Sequence, residues 1–110
     1  MSNPAAYYTR LEFSDIVVGT PKRLTSALGV SLKTGAAIAA GKVLVGVRNE
    51  LNGTLNLAYG EAAKTAAKWD PLAKQMGRDL RENEGAAAGD IWADRPAASS
   101  AGHIILMWRD

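Results

Sequence analysis

From Gly41 to Gly60 the chain reads GKVLVGVRNELNGTLNLAYG, two runs of alternating apolar and other residues on either side of Asn52-Gly53. Alternation with a period of two marks a strand with one buried face, and Asn-Gly between two such runs predicts a β-hairpin. A loop made of Leu51, Asn52 and Gly53 would put the glycine where a positive φ is needed. Val47 is then expected opposite Leu57, and Val45 opposite Tyr59. Val43, Val45, Val47, Leu57 and Tyr59 would share the core face, leaving Arg48, Glu50 and Asn56 outside. A two-residue Asn-Gly loop would set Val47 opposite Ala58 and divide the apolar set between faces, which costs burial.

The same reading extends along the chain. Tyr7 to Val18, YYTRLEFSDIVV, is rich in β-formers, with Leu11 and Phe13 on one face and Arg10, Glu12 and Ser14 on the other. Gly19-Thr20-Pro21 breaks it. Arg23 to Leu32 suits a strand pair or a short helix, with Ser, Thr and Gly29 favouring extended structure. Lys33 to Ala40 reads as a connector, too short to hold a helix alone. Glu61 to Trp69 has helical propensity, and Asp70-Pro71 is expected to end that helical stretch. Arg78 to Glu84 reads as an exposed edge strand or loop, and Gly85 to Gly89 as a turn. Asp90 to Arg95 is a short strand stopped by Pro96, and Ala97 to Gly102 is a loop. His103 to Trp108, HIILMW, is apolar on both faces, the pattern of a central strand or of one buried at a subunit contact.

Strand signals thus recur about every ten residues between Gly, Pro, Asn and Ser, the spacing of an antiparallel sandwich or barrel. The expected fold is all-β: a small antiparallel β-sandwich or barrel with a short helical segment near 61–69. The alternative is α+β, with helices near 34–48 and 58–82, which the alanine content supports. A helix through 41–53 would have to absorb Gly41, Gly46 and Gly53 at about 1 kcal/mol each, and this favours the sandwich.

Composition narrows the function. At 110 residues the chain is expected to form one domain, 1–110, with residues 1–9 as an N-terminal arm. Its 47% hydrophobic content fits a globular protein, and no apolar run is long enough for a membrane span. The absence of cysteine removes disulfides, thiolate metal sites and a Cys nucleophile, and no basic-then-apolar leader opens the sequence. The net charge of +2 is mild and the basic residues are interleaved with acids, so nucleic acid is not expected as a partner.

Candidate chemistry is sparse. GAAIAAGKV (35–43) is similar to a phosphate-binding loop but has one residue too many before Gly-Lys, and Val43 stands where the magnesium-binding hydroxyl belongs. His103 is the only histidine, and AGHIILMW resembles the His-bearing strand of papain-like amidases; those enzymes need a Cys nucleophile, which the chain lacks. Asp79, Glu82, Glu84, Asp90 and Asp94 read as a solvated face balanced by Arg78, Arg81 and Arg95. Trp69, Trp92 and Trp108 are the tryptophans, suited to core filling first and to an interface second. No catalytic, cofactor-binding or metal-ligating residue is predicted. Two alternatives are kept: a small enzyme or toxin domain with His103 as general base, helped by Arg95, Arg109 or a carboxylate, and a nucleic-acid-binding module.

RLTSALGVSL (23–32), AAGKVLVGVRNELNGTLNLAYG (39–60) and GDIWADRPAASSAGHIILMWRD (89–110) carry a family resemblance. In the order of its strands and turns the chain resembles the small β-sandwich structural proteins of tailed bacteriophages, the head-decoration or head-fibre-like proteins. The resemblance implies a non-enzymatic virion protein made in the host cytoplasm. Such a protein would need no cofactor, and would dock as a homo-oligomer on a capsid or tail surface. Its partners would be its own copies and a capsid or other virion protein, with no membrane. Trp92, Ile104, Leu106 and Trp108 are the expected core or interface anchors, with Tyr7 and Tyr8 in the N-terminal arm. The segment 61–84 is longer and more charged than this pattern requires.

Overall fold

Among the described residues eight strands carry the alternating segments of the sequence: β1 (Tyr7–Glu12), β2 (Lys22–Arg23), β3 (Val43–Leu51), β4 (Leu55–Tyr59), β5 (Asp70–Leu72), β6 (Gly77–Asp79), β7 (Ile91–Asp94) and β8 (Gly102–Arg109). The computed structural model describes residues 7–32, 34–59, 69–80 and 91–109. Helical structure among them is limited to two single 3-10 turns, Phe13–Asp15 and Leu24–Ser26, so the fold is all-β. The α+β alternative does not hold: its helix over 34–48 would cross β3, and its helix over 58–82 would cross β5 and β6. The helical segment expected near 61–69 falls outside the described residues except for Trp69, which has no regular structure.

The strands form two antiparallel four-stranded sheets, one in the order β1-β8-β3-β6 and the other in the order β2-β7-β4-β5. The order has a simple origin. β1 pairs with β8, β2 with β7, β3 with β6 and β4 with β5, so the first half of the chain lies antiparallel to the second. That long ribbon is then rolled so that β3 also meets β8 and β4 also meets β7. This is the connectivity of a jelly roll, two interlocked Greek keys. Consecutive strands lie in different sheets except for β4 and β5, and the connections 13–21, 52–54, 73–76 and 95–101 all cross from one sheet to the other.

The expected hairpin over 41–60 is therefore corrected. Both runs are strands, but β3 and β4 are not paired and belong to opposite sheets. Val47 faces Arg78 and Leu106 rather than Leu57, and Leu57 faces Asp70 and Ala93. Asn52-Gly53 is a crossover, held by its neighbour crossover rather than by itself. Asn52 Oδ1 accepts from the Ser100 and Ala101 amides at 2.9 and 3.3 Å, and Ser99 Oγ donates to the Thr54 carbonyl at 2.6 Å. Gly53 does not take a positive φ. The expected core face is also redrawn. An irregularity between Leu44 and Gly46 reverses the alternation, so Leu44, Val47 and Leu51 point inward while Val43 and Val45 are half-buried.

The core lies between the sheets. Leu44, Val47, Ile104, Leu106 and Trp108 from one sheet pack with Leu55, Leu57, Ile91 and Ala93 from the other. Ile16, Leu24 and Ile38 from connecting segments close its margins. Gly102 starts β8 because it must: its φ is +100°, and a Cβ there would sit 2.3 Å from the Glu50 carbonyl oxygen. The exposed sheet edges are kept short, as edge strands usually are: β2, β5 and β6 have two or three residues each. Pro71, which lacks an N–H, is accommodated in the edge strand β5. The free side of β1 is partly covered by the 29–38 excursion, whose Leu32 amide donates to the Tyr8 carbonyl at 2.7 Å.

Candidate docking face

The β1-β8-β3-β6 sheet turns one face to the core and one to solvent. Its outer face is built in rows, because residues directly opposite on antiparallel strands point the same way. One row is Glu12, His103 and Glu50, on β1, β8 and β3. The next is Arg10, Ile105 and Arg48, and the third is Tyr8, Met107 and Gly46, continued on β6 by Asp79. Neighbours within a row lie about 4.8 Å apart, and successive rows about 7 Å.

Ile105 and Met107 thus form a half-buried apolar stripe down the middle strand. Met107 owes its position to Gly46, because a Cβ at Gly46 would come within 2.7 Å of Met107 Cε. The thioether lies across the bare backbone of β3. Charges flank the stripe on both sides. Arg10 Nε donates to Glu12 Oε1 at 2.7 Å, and Arg48 Nε donates to Glu50 Oε1 in the same way across the stripe. These are exposed ion pairs, worth about 0–1 kcal/mol each, so their consequence is the pattern of surface charge rather than stability.

The residues predicted as anchors separate in space. Ile104, Leu106 and Trp108 are completely buried in the core. Trp92 is half-buried, opposite Arg23 and Ala58 on the other sheet. Tyr7 and Tyr8, expected in an arm, are instead the first residues of β1, paired with Trp108 and Met107. Eight residues of β8 are available along that edge, and a chain of β-formers pairs with them rather than standing free. Tyr7 packs against the core with the Lys42 ammonium 5.3 Å from its ring centre, while Tyr8 stays 39% exposed on the outer face. His103 is half-buried, with a glutamate on each side.

Sequence reasoning missed the two Arg-x-Glu triplets, Arg10-Leu11-Glu12 and Arg48-Asn49-Glu50. The repeated triplet on two predicted strands was a usable signal, but nothing local indicates that both strands flank β8.

A second polar cluster ties the two sheets together. Tyr59 Oη donates to Asp70 Oδ2 at 2.7 Å, and Arg78 Nη2 donates to Asp70 Oδ1 at 3.1 Å. Asp70 and Tyr59 belong to one sheet and Arg78 to the other, beside a cleft of about 320 Å³ that Asp79 and Leu80 also line. The carboxylate is engaged on both oxygens, which makes the cluster a latch between edge strands. At the crossover end Arg95 does similar work. It donates to the Ile16 carbonyl at 2.7 Å and to the Ser99 carbonyl at 2.8 Å, with its guanidinium 5.2 Å from the Phe13 ring centre.

Among the described residues no group of three or more His, Asp or Glu side chains is arranged to hold a metal ion, and no helix is long and apolar enough to cross a membrane. Compared with protein-family models, curated proteins and solved structures, the chain matches none of them.

Proposed function

We propose that this chain is a non-enzymatic structural protein of a virion, docking as an oligomer on a capsid or tail surface of a tailed bacteriophage. The observation that supports it most is the outer face of the β1-β8-β3-β6 sheet. A sheet face with Ile105 and Met107 at its centre and charged residues beside them suits contact with another surface. Interfaces combine such an apolar centre with a polar rim. Jelly rolls serve capsids, lectins and cupins alike, so the face and the resemblance support the reading, not the fold alone.

The test is co-sedimentation. The purified chain is mixed with density-banded phage particles, and the pellet is assayed for it. Binding that saturates at a fixed copy number per particle is expected, and Ile105→Glu with Met107→Glu should reduce it at least about tenfold. A chain that stays in the supernatant with every particle tested overturns the reading.

A small enzyme or toxin domain is the second reading, favoured by one observation: Glu12 and Glu50 flank His103, and a carboxylate beside a histidine can orient it as a general base. Loss of a growth-inhibition phenotype on His103→Ala would support this reading, and unchanged particle binding by that variant supports the first.

A further inference from the structure

The charge pattern of the outer face is self-complementary, and this selects a partner. We propose that a second copy of this chain docks on the outer face of the β1-β8-β3-β6 sheet across a two-fold axis. The axis lies between the Glu12–His103–Glu50 row and the Arg10–Ile105–Arg48 row. The inference rests on reading this face as a contact surface.

The geometry follows from the rows. A two-fold axis in the plane of contact, perpendicular to β8, reverses the strand direction and exchanges the two rows. Glu12 and Glu50 then lie over Arg10 and Arg48 of the second copy, and the arginines over its glutamates. Ile105 meets the His103 imidazole of the second copy on the centre line. The same face stacked with its strands parallel puts glutamate over glutamate and arginine over arginine, which like-charge repulsion disfavours. One alignment is therefore selected, and it closes into an isologous dimer.

The two charged strands are equivalent in this arrangement. Arg10 and Glu12 on β1 and Arg48 and Glu50 on β3 sit at the same two heights beside β8, at positions 105 and 103. The axis runs across the three strands, so β1 lies over β1 and β3 over β3 of the second copy, and each brings its own Arg–Glu exchange to the contact.

The axis sets the overlap. At the level of Ile104 it lays positions 102–106 of β8, with the flanking parts of β1 and β3, over the same positions of the second copy in reverse, and β6 falls outside. Three strands at about 4.8 Å and five residues at about 3.4 Å give a footprint of about 14 by 17 Å, the size of a small contact held by its charged rows. Face-to-face sheets pack about 10 Å apart, within reach of arginine and glutamate side chains from both sides.

Charge exchange tests it. One double variant, Arg10→Glu with Arg48→Glu, makes both rows acidic. A second, Glu12→Arg with Glu50→Arg, makes both basic. Circular dichroism and urea unfolding check that each is folded. In light scattering after size exclusion the parent should be a dimer, and each double variant alone should associate about 100-fold more weakly. An equimolar mixture of the two should recover the dimer, because an acidic face then meets a basic one. That recovery distinguishes facing rows from general damage to the sheet. A monomeric parent at millimolar concentration overturns the proposal. So do variants that dimerise as well as the parent, which would place the contact elsewhere, and so does a mixture that stays monomeric. A monomeric parent that still co-sediments with particles overturns only the self-docking. A dimer that binds no particle overturns only the virion reading.

Discussion

Trp108→Ala should lower the free energy of unfolding by about 3–5 kcal/mol, the range for removing a large aromatic side chain from a closed core. Trp108 is fully buried near the end of β8, opposite Tyr7 on β1 and Leu44 on β3. Its indole Nε1 donates to Thr9 Oγ1 at 2.9 Å, a bond between buried groups. Alanine would leave a cavity between three strands and strip the buried Thr9 hydroxyl of that partner, and the two losses add. Small domains have only about 5–15 kcal/mol in total, so much of the stability would go. Trp108→Phe separates the terms: it keeps most of the volume and loses the hydrogen bond, for an expected cost of about 1–2 kcal/mol. Urea unfolding measures both, with the midpoint moving and the slope unchanged. A loss below about 1 kcal/mol for the alanine variant would mean that the core is not closed at this position.

Asn49→Leu is expected to cost about 3 kcal/mol although leucine is nearly the same size and apolar. Asn49 is completely buried, and its side chain makes three hydrogen bonds. Nδ2 donates to the carbonyls of Gly53 and Leu72 at 2.9 Å each, and Oδ1 accepts from the Leu51 amide at 2.9 Å. Its backbone is engaged as well, receiving from the Gln75 amide and donating to the Met76 carbonyl. Asn49 thus ties β3 of one sheet to β5 of the other and to the crossovers on either side. Leucine leaves three backbone groups without that partner, and a buried polar group without a partner costs about 1–3 kcal/mol. Asn49→Asp should be worse, since a carboxylate there would face two carbonyl oxygens. Hydrogen exchange adds a local readout: the amides of Leu51 and Gln75 should lose protection before the centre of β8 does. A leucine variant as stable as the parent, with those amides still protected, would show that the hub does not hold the two sheets together.

Legibility from the sequence followed the range of each interaction. β8 was readable as a central strand because HIILMW is apolar on both faces, a pattern that needs no knowledge of neighbours; which face enters the core is seen only in the fold. For Arg78 to Glu84 the polarity around Leu80 left an edge strand or a loop open, and of these residues Arg78 and Asp79 lie in the edge strand β6. Asn52-Gly53 misled because its turn preference is local and weak. The rolled fold offers β3 a ladder along most of its length with β8, and joins the Asn52 side chain to Ser100 and Ala101. Long-range pairing outweighs a two-residue preference. Asp70-Pro71 shows the same limit: proline tolerates an edge strand, and that these residues open β5 beside β4 is decided by the sheet.

The candidate face shows the same division. Alternation alone put Arg10, Glu12, Arg48 and Glu50 on solvent-facing positions. That Arg10 and Arg48 flank Ile105, and Glu12 and Glu50 flank His103, came from the placement of β8 between β1 and β3. By itself the sequence determined the extended state of its alternating segments and most of the breaks between them, since these depend on residues a few positions apart. Only the tertiary structure decided which strands are neighbours, where the irregularity after Leu44 reverses the core face, and how two distant Arg-x-Glu triplets become one charged surface. Alternation tells a residue which side of a sheet to face, and it carries no information about which strand lies next to it.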